Sequence, residues 1–185
     1  MLTLTLITLF LFAIAVWWDF RAFTIPNWLT LLFFCIGIFA NFVLFGALQA
    51  AIAFATGFGV LVIMFPLFAF RLIGAGDVKL MMAVGAIMGT LPTFLTLVWG
   101  IIFGSVLAIL FGAFKTGVSG VAKTFKRYYH CLIIRTYFKP DADELGAISV
   151  PYAPALALGF IYTCYSTPEL SRALRALFTS LEYWV

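Results

Sequence analysis

A chain of 185 residues that is 65% hydrophobic and only 10% charged, with a mean hydropathy of +1.16, is not a water-soluble domain. Apolar segments of spanning length recur from end to end, which predicts an all-α polytopic membrane helix bundle with six transmembrane helices in a single domain, residues 1–185. The net charge of +4 and pI near 9.1 do not point to nucleic acid, because the basic residues sit between apolar spans and form no basic run interleaved with aromatics.

The first span covers about Leu2 to Trp18, ending in two tryptophans suited to the headgroup belt. Met1 to Val16 has neither the basic n-region nor the small-residue cleavage site of a signal peptide, so it reads as a retained span. Asp19 and Arg21 follow, and then Pro26 marks the first turn of a second span, about Trp28 to Phe45. The third span, about Ala50 to Phe70, carries Ala51, Ala53, Ala55, Gly57 and Gly59 for close helix contact, with Pro66 kinking its end.

Next comes Gly74-Ala75-Gly76-Asp77-Val78-Lys79, a carboxylate framed by two glycines ahead of a short fourth span, Val78 to Thr90. Thirteen residues give roughly 20 Å of helix against a membrane core of about 30 Å. If Pro92 marks the far turn, Asp77 lies below the near surface or the bilayer thins around it. An acid at that depth reads as functional. The alternate glycines are expected to let the backbone bend and a peptide approach closely.

Span five runs from about Thr93 to Phe114, with Gly100, Gly104 and Gly112 along it. Residues 115–149 form a basic segment expected at the cytoplasmic side, in which Val121, Phe125, Tyr128, Leu132 and Tyr137 keep roughly helical spacing, as in an amphipathic helix resting on lipid. Span six covers about Val150 to Tyr165. Residues 167–185 read as an amphipathic tail helix, opened by Thr167-Pro168-Glu169 and striped by Leu170, Leu174, Leu177, Leu181 and Trp184.

With the N-terminus outside, the segments after spans one, three and five hold nine of the eleven Lys and Arg residues, and only Arg172 and Arg175 lie outside. That bias orients the bundle and puts Asp19 and Asp77 at the cytoplasmic face. Cys35, Cys131 and Cys164 are widely spaced and the chain has one histidine, so no metal or other cofactor is expected.

Of seven acidic residues, five (Asp141, Asp143, Glu144, Glu169 and Glu182) fall in the polar loop or tail. An acid at a helix end beside a basic residue is ordinarily a solvated cap, which suits Asp19 with Arg21 and suits Asp77 poorly. Brought together by the bundle, the two carboxylates would share one proton. Such a pair can activate water with its charged member and protonate a leaving nitrogen with the other, with no serine or cysteine nucleophile. The alternative is a small transporter that binds protons or cations on intramembrane aspartates. That reading wants mid-membrane acids and an inverted repeat, and neither is visible.

Gly74-x-Gly76-Asp77-x-Lys79 resembles the motif of the GxGD intramembrane aspartyl proteases, and two further segments resemble the type IV prepilin peptidase family. These are Asp19-x-Arg21 with Ile25-Pro26-Asn27, and Pro151-Tyr152-Ala153-Pro154 through Gly159. The resemblance implies that Asp19 and Asp77 are the catalytic pair, supported by Arg21, Pro26, Asn27, Gly74, Gly76, Lys79, Pro151 and Tyr152. It implies a membrane protease of the inner membrane that removes the leader of a pilin-like precursor at the cytoplasmic face. Only Phe20 to Asn27 separate the first two spans, where larger members carry a cytoplasmic domain. The chain is therefore similar to the small form found with tight-adherence pili, or to archaeal preflagellin peptidase, and methyltransferase activity is not expected.

Overall fold

The fold is that of a computed structural model, which describes residues 1–69, 73–134, 151–168 and 170–172. Six helices follow in order: α1 (Leu2–Ala22), α2 (Asn27–Phe45), α3 (Ala47–Ala69), α4 (Ala75–Met88), α5 (Thr90–Ile134) and α6 (Ala153–Ser166), with no strand among the described residues. Among the described residues, four segments are long and apolar enough to cross a membrane: Leu2–Ala22, Asn27–Phe45, Ala47–Ala69 and Thr90–Phe111. The protein is a helical membrane protein. The fourth and sixth expected spans correspond to α4 and α6, which have 14 residues each and fall short of that length.

The chain divides into two compact units, Met1–Ile101 with Pro151–Val185, and Ile102–Val150. In the second unit the helical spacing foreseen from Val121 to Leu132 is matched by helix as far as Ile134. Tyr137, the rest of the basic segment, Arg71 and the tail beyond Arg172 lie outside the described residues.

The first unit is built around α4, which packs against α1, α2 and α3. Val78, Leu80, Met81 and every residue from Ala83 to Met88 are buried. Lipid is as apolar as leucine, so such a helix is held by close packing rather than by expulsion of water. Small residues supply the closeness. A Cβ on Gly57 of α3 would lie 2.8 Å from the Met82 carbonyl, and one on Gly37 of α2 would lie 2.7 Å from Ile87. Among the expected contact glycines, Gly59 has open space around it.

The α2 face toward α4 reads Leu29, Thr30, Phe33, Phe34, Gly37 and Asn41, steps of three and four that keep one side of the helix inward. Asn41 is buried and its Nδ2 donates to the carbonyls of Ala86 and Ile87 at 3.1 and 3.2 Å, satisfying groups that the end of α4 leaves unpaired. The turn after α4 is Gly89, at φ 82°, a left-handed conformation natural to glycine. Pro92 is thus not the turn but part of the first turns of α5, where its missing N–H costs nothing. Pro66 lies within α3, which continues to Ala69. Gly100 packs on Leu156 of α6.

Candidate active site

Asp19 stands in the last turn of α1, three residues inside a helix that continues to Ala22 and ends on Phe23 at φ 50°. An acid here faces the negative end of its own helix, which disfavours its charge. It is nevertheless only 6% exposed. The compensation comes from the far end of the sequence. The backbone N–H of Ala153, first residue of α6, donates to Asp19 Oδ2 at 2.9 Å, and the N–H of Tyr152 adds a weaker donor to the same carboxylate. The positive end of α6 therefore sits where the negative end of α1 needs it.

Asp77 is the third residue of α4, behind Gly74 at the cap position. Its carboxylate folds back toward the Gly74 N–H, one half of a capping box. A Cβ on Gly74 would lie 2.9 Å from Asp77 Oδ2, so the glycine clears the space that the carboxylate occupies. Gly76 answers a second contact: a Cβ there would meet Ile25 Cβ at 3.2 Å. Neither glycine has a positive φ, and residues 75 to 79 are already helix. In this conformation the two glycines do not bend the chain; they make room, one for the acid and one for the loop before α2.

Asp77 does reach back to the start of its helix, but it is not a solvated cap, in line with the expectation that it suits that role poorly. What sets it apart is burial, at 9% exposure, and company. Burial raises its carboxyl from 3.8 to about 7, and the neighbouring charge of Asp19 adds to the rise, against the Gly74 N–H. Asp19 and Asp77 share a half-open cleft of about 410 Å³ with Phe23, Thr24, Ile25, Asn27, Gly74, Ala75, Gly76 and Lys79. Lys79 Nζ donates to Asn27 Oδ1 at 2.8 Å, tying the first turn of α2 to the start of α4.

The fold therefore brings Asp19, Asn27, Gly74, Gly76, Asp77 and Lys79 to one cleft. Pro26 caps α2 beside it, in extended conformation. Arg21 is turned elsewhere, its guanidinium 4.8 Å from the centre of the Trp17 ring. Tyr152 precedes α6, and burial together with the charge of Asp77 pushes its phenol up to about 12. The residue that sequence reasoning passed over is Ala153, whose contribution is a main-chain N–H. Its only signal was indirect, the prolines at 151 and 154 that start a helix there.

A model of the type IV leader peptidase family matches residues 6–109, more than half of the chain. The chain belongs to that family. Among curated proteins and among solved structures, nothing matches. The leader peptidase match includes both aspartates and the Gly74-to-Lys79 segment, and it makes the protein a peptidase hydrolase. It ends before Pro151, so the place of the third segment at the site rests on the Ala153 to Asp19 hydrogen bond.

Proposed function

We propose that the protein is an aspartic endopeptidase that removes the leader peptide from pilin-like precursors, using Asp19 and Asp77 as its catalytic pair. One observation carries this reading: two buried carboxylates, from α1 and α4, line a single cleft in a member of the leader peptidase family. Water activated by an ionised carboxylate attacks the scissile carbonyl, and the protonated carboxylic acid delivers a proton to the leaving nitrogen. Asn27 and Lys79 tie the start of α2 to the start of α4, Pro26 caps α2, Gly74 and Gly76 leave room for Asp77 and Ile25, and Pro151 and Tyr152 lead into the helix that seats Asp19.

In this reading α4 and α6 complete six spans with the N-terminus outside, and the cleft opens to the cytoplasm at the inner membrane. The substrate helix lies in lipid against the bundle, and its basic leader stays in water, so only the junction between them enters the cleft. A transporter role finds no support in the family match, and both acids stand in terminal turns rather than mid-helix. Methylation of the new N-terminus is not part of the proposal.

The test is leader removal in membranes by Asp19→Asn and Asp77→Asn variants given a pilin-type precursor. Each carboxamide is expected to lower the rate by at least about 100-fold, the lower range for a lost general acid or base. Full processing by either variant refutes the paired mechanism.

A further inference from the structure

The pair is asymmetric, and the asymmetry comes from which helix ends the carboxylates touch. Asp19 lies at the wrong end of α1 for a negative charge, yet it accepts a 2.9 Å hydrogen bond from the first residue of α6, with the Tyr152 N–H beside it. Burial raises the Asp19 carboxyl above its ordinary 3.8, and these main-chain donors at a helix N-terminus oppose the rise by favouring its charged form. Among the described residues Asp77 has one main-chain partner, the Gly74 N–H, and it opens the stretch of α4 that is buried from Asp77 to Met88 apart from Lys79 and Met82. Two carboxylates in one cleft carry one charge between them more cheaply than two.

We infer that Asp19 is the ionised base and Asp77 the proton-holding acid, and that the N-terminus of α6, at Tyr152 and Ala153, is the positioning device that fixes this division. The inference rests on reading the pair as the catalytic residues. The raised carboxyl of Asp77 agrees with it. Among the described residues, the other groups facing the pair are Lys79, bonded to Asn27 of α2, and the Tyr152 phenol, which keeps its proton up to about 12.

The chemistry balances. The Asp19 carboxylate removes a proton from water while the oxygen of that water bonds to the scissile carbon, and the carbonyl π pair moves to its oxygen. Asp77 then gives its proton to the peptide nitrogen, the C–N bond breaks, and the carbonyl reforms as a carboxylic acid. Asp19 now holds a proton and Asp77 a charge, and one proton passing from Asp19 to Asp77 restores the starting state. The third segment is thereby joined to the reaction through its main chain, which explains how a stretch without an acid belongs to the site.

The experiment is infrared spectroscopy of the purified full chain, with and without ¹³C label on aspartate carboxyls, at about pH 5, where an ordinary aspartate is more than about nine-tenths ionised. The label-shifted band of a protonated aspartate is expected in the unaltered protein and in Asp19→Asn, and is expected to vanish in Asp77→Asn. The reverse pattern, a band surviving in both variants, or a band lost from both overturns the assignment. Ala153→Pro, which deletes the donor to Asp19, is expected to roughly double the band. An unchanged band in folded Ala153→Pro removes α6 from the explanation, and should that variant not fold, the two carboxamides decide the assignment. Failure of the unaltered protein to remove a leader would sink the protease reading and leave the spectral result intact.

Discussion

Replacing Asp77 with asparagine separates what the carboxyl does for the fold from what it does in the reaction. Its carboxyl is raised from 3.8 to about 7, chiefly by burial. At 1.36 kcal/mol per pH unit, ionising it in the folded protein costs about 4 kcal/mol more than in the unfolded chain. The sign follows from linkage: the folded state binds the proton more tightly, so stability is greatest below about 3.8, falls as pH rises, and levels off above about 7. The carboxamide of Asp77→Asn has no proton to lose and no such slope. Unfolding midpoints in detergent, followed by fluorescence of the five tryptophans, are expected nearly to coincide at about pH 4. At about pH 8 Asp77→Asn is expected to be more stable by roughly 10 °C, taking two to four degrees per kcal/mol for a chain of this size. The same variant is expected to be inactive, stability gained at the cost of function. A gap that is the same at both pH values, or a less stable variant at high pH, refutes the claim that a buried charge is being carried here.

Two further predictions concern the glycines. A Cβ on Gly159 would lie 2.6 Å from the Gly100 nitrogen and 2.7 Å from the Thr96 carbonyl, backbone atoms that cannot move aside, whereas Gly59 has nothing within 4 Å. Gly159→Ala is therefore expected to cost roughly 1–3 kcal/mol and Gly59→Ala less than about 0.5 kcal/mol, and equal melting temperatures would contradict the packing argument. Gly76→Leu is expected to abolish most leader removal while the protein stays in the membrane, because its side chain drives into Ile25. Ile25→Ala combined with it is expected to restore part of the rate, and an active Gly76→Leu single variant would count against the close fit.

The helices were legible because their signal is local. A run of apolar residues closed by Asp19, Gly46 or Gly74 marks each end, and α1 to α4 begin and end within a few residues of the expected bounds. The two aspartates were legible too, through the resemblance carried by Asp19-x-Arg21 and Gly74-x-Gly76-Asp77-x-Lys79. What the chain order hides is contact between distant segments. Nothing near Asp19 says that its charge is met by the amide of residue 153, and nothing near Gly76 says that its missing side chain makes way for Ile25. Asn41 illustrates the same limit: a lone amide in an apolar span announces a buried partner but not that the partner is the end of α4.

That contact also locates the shortfall of α4. Asn27 and Asn41 are 14 residues apart on α2, about 21 Å along its axis and close to four whole turns, so both face α4. Asn27 holds Lys79 near the start of α4, and Asn41 holds the carbonyls of Ala86 and Ile87 near its end. The start of α4 is thus level with the first turn of α2, while α2 runs on from Asn41 to Phe45, about 6 Å beyond the point where it holds α4. The missing length lies away from the aspartates, where Asn41, Gln49, Thr56 and Gly89 help to line a second cavity of about 210 Å³. Asp77 need not sink below the level at which α2 begins. Its protection from water comes instead from neighbouring chain, the Gly74 cap and the Ile25 loop. An acid enclosed by loops at the end of a bundle can be reached by a peptide from the side of the aqueous phase, and one enclosed by lipid cannot.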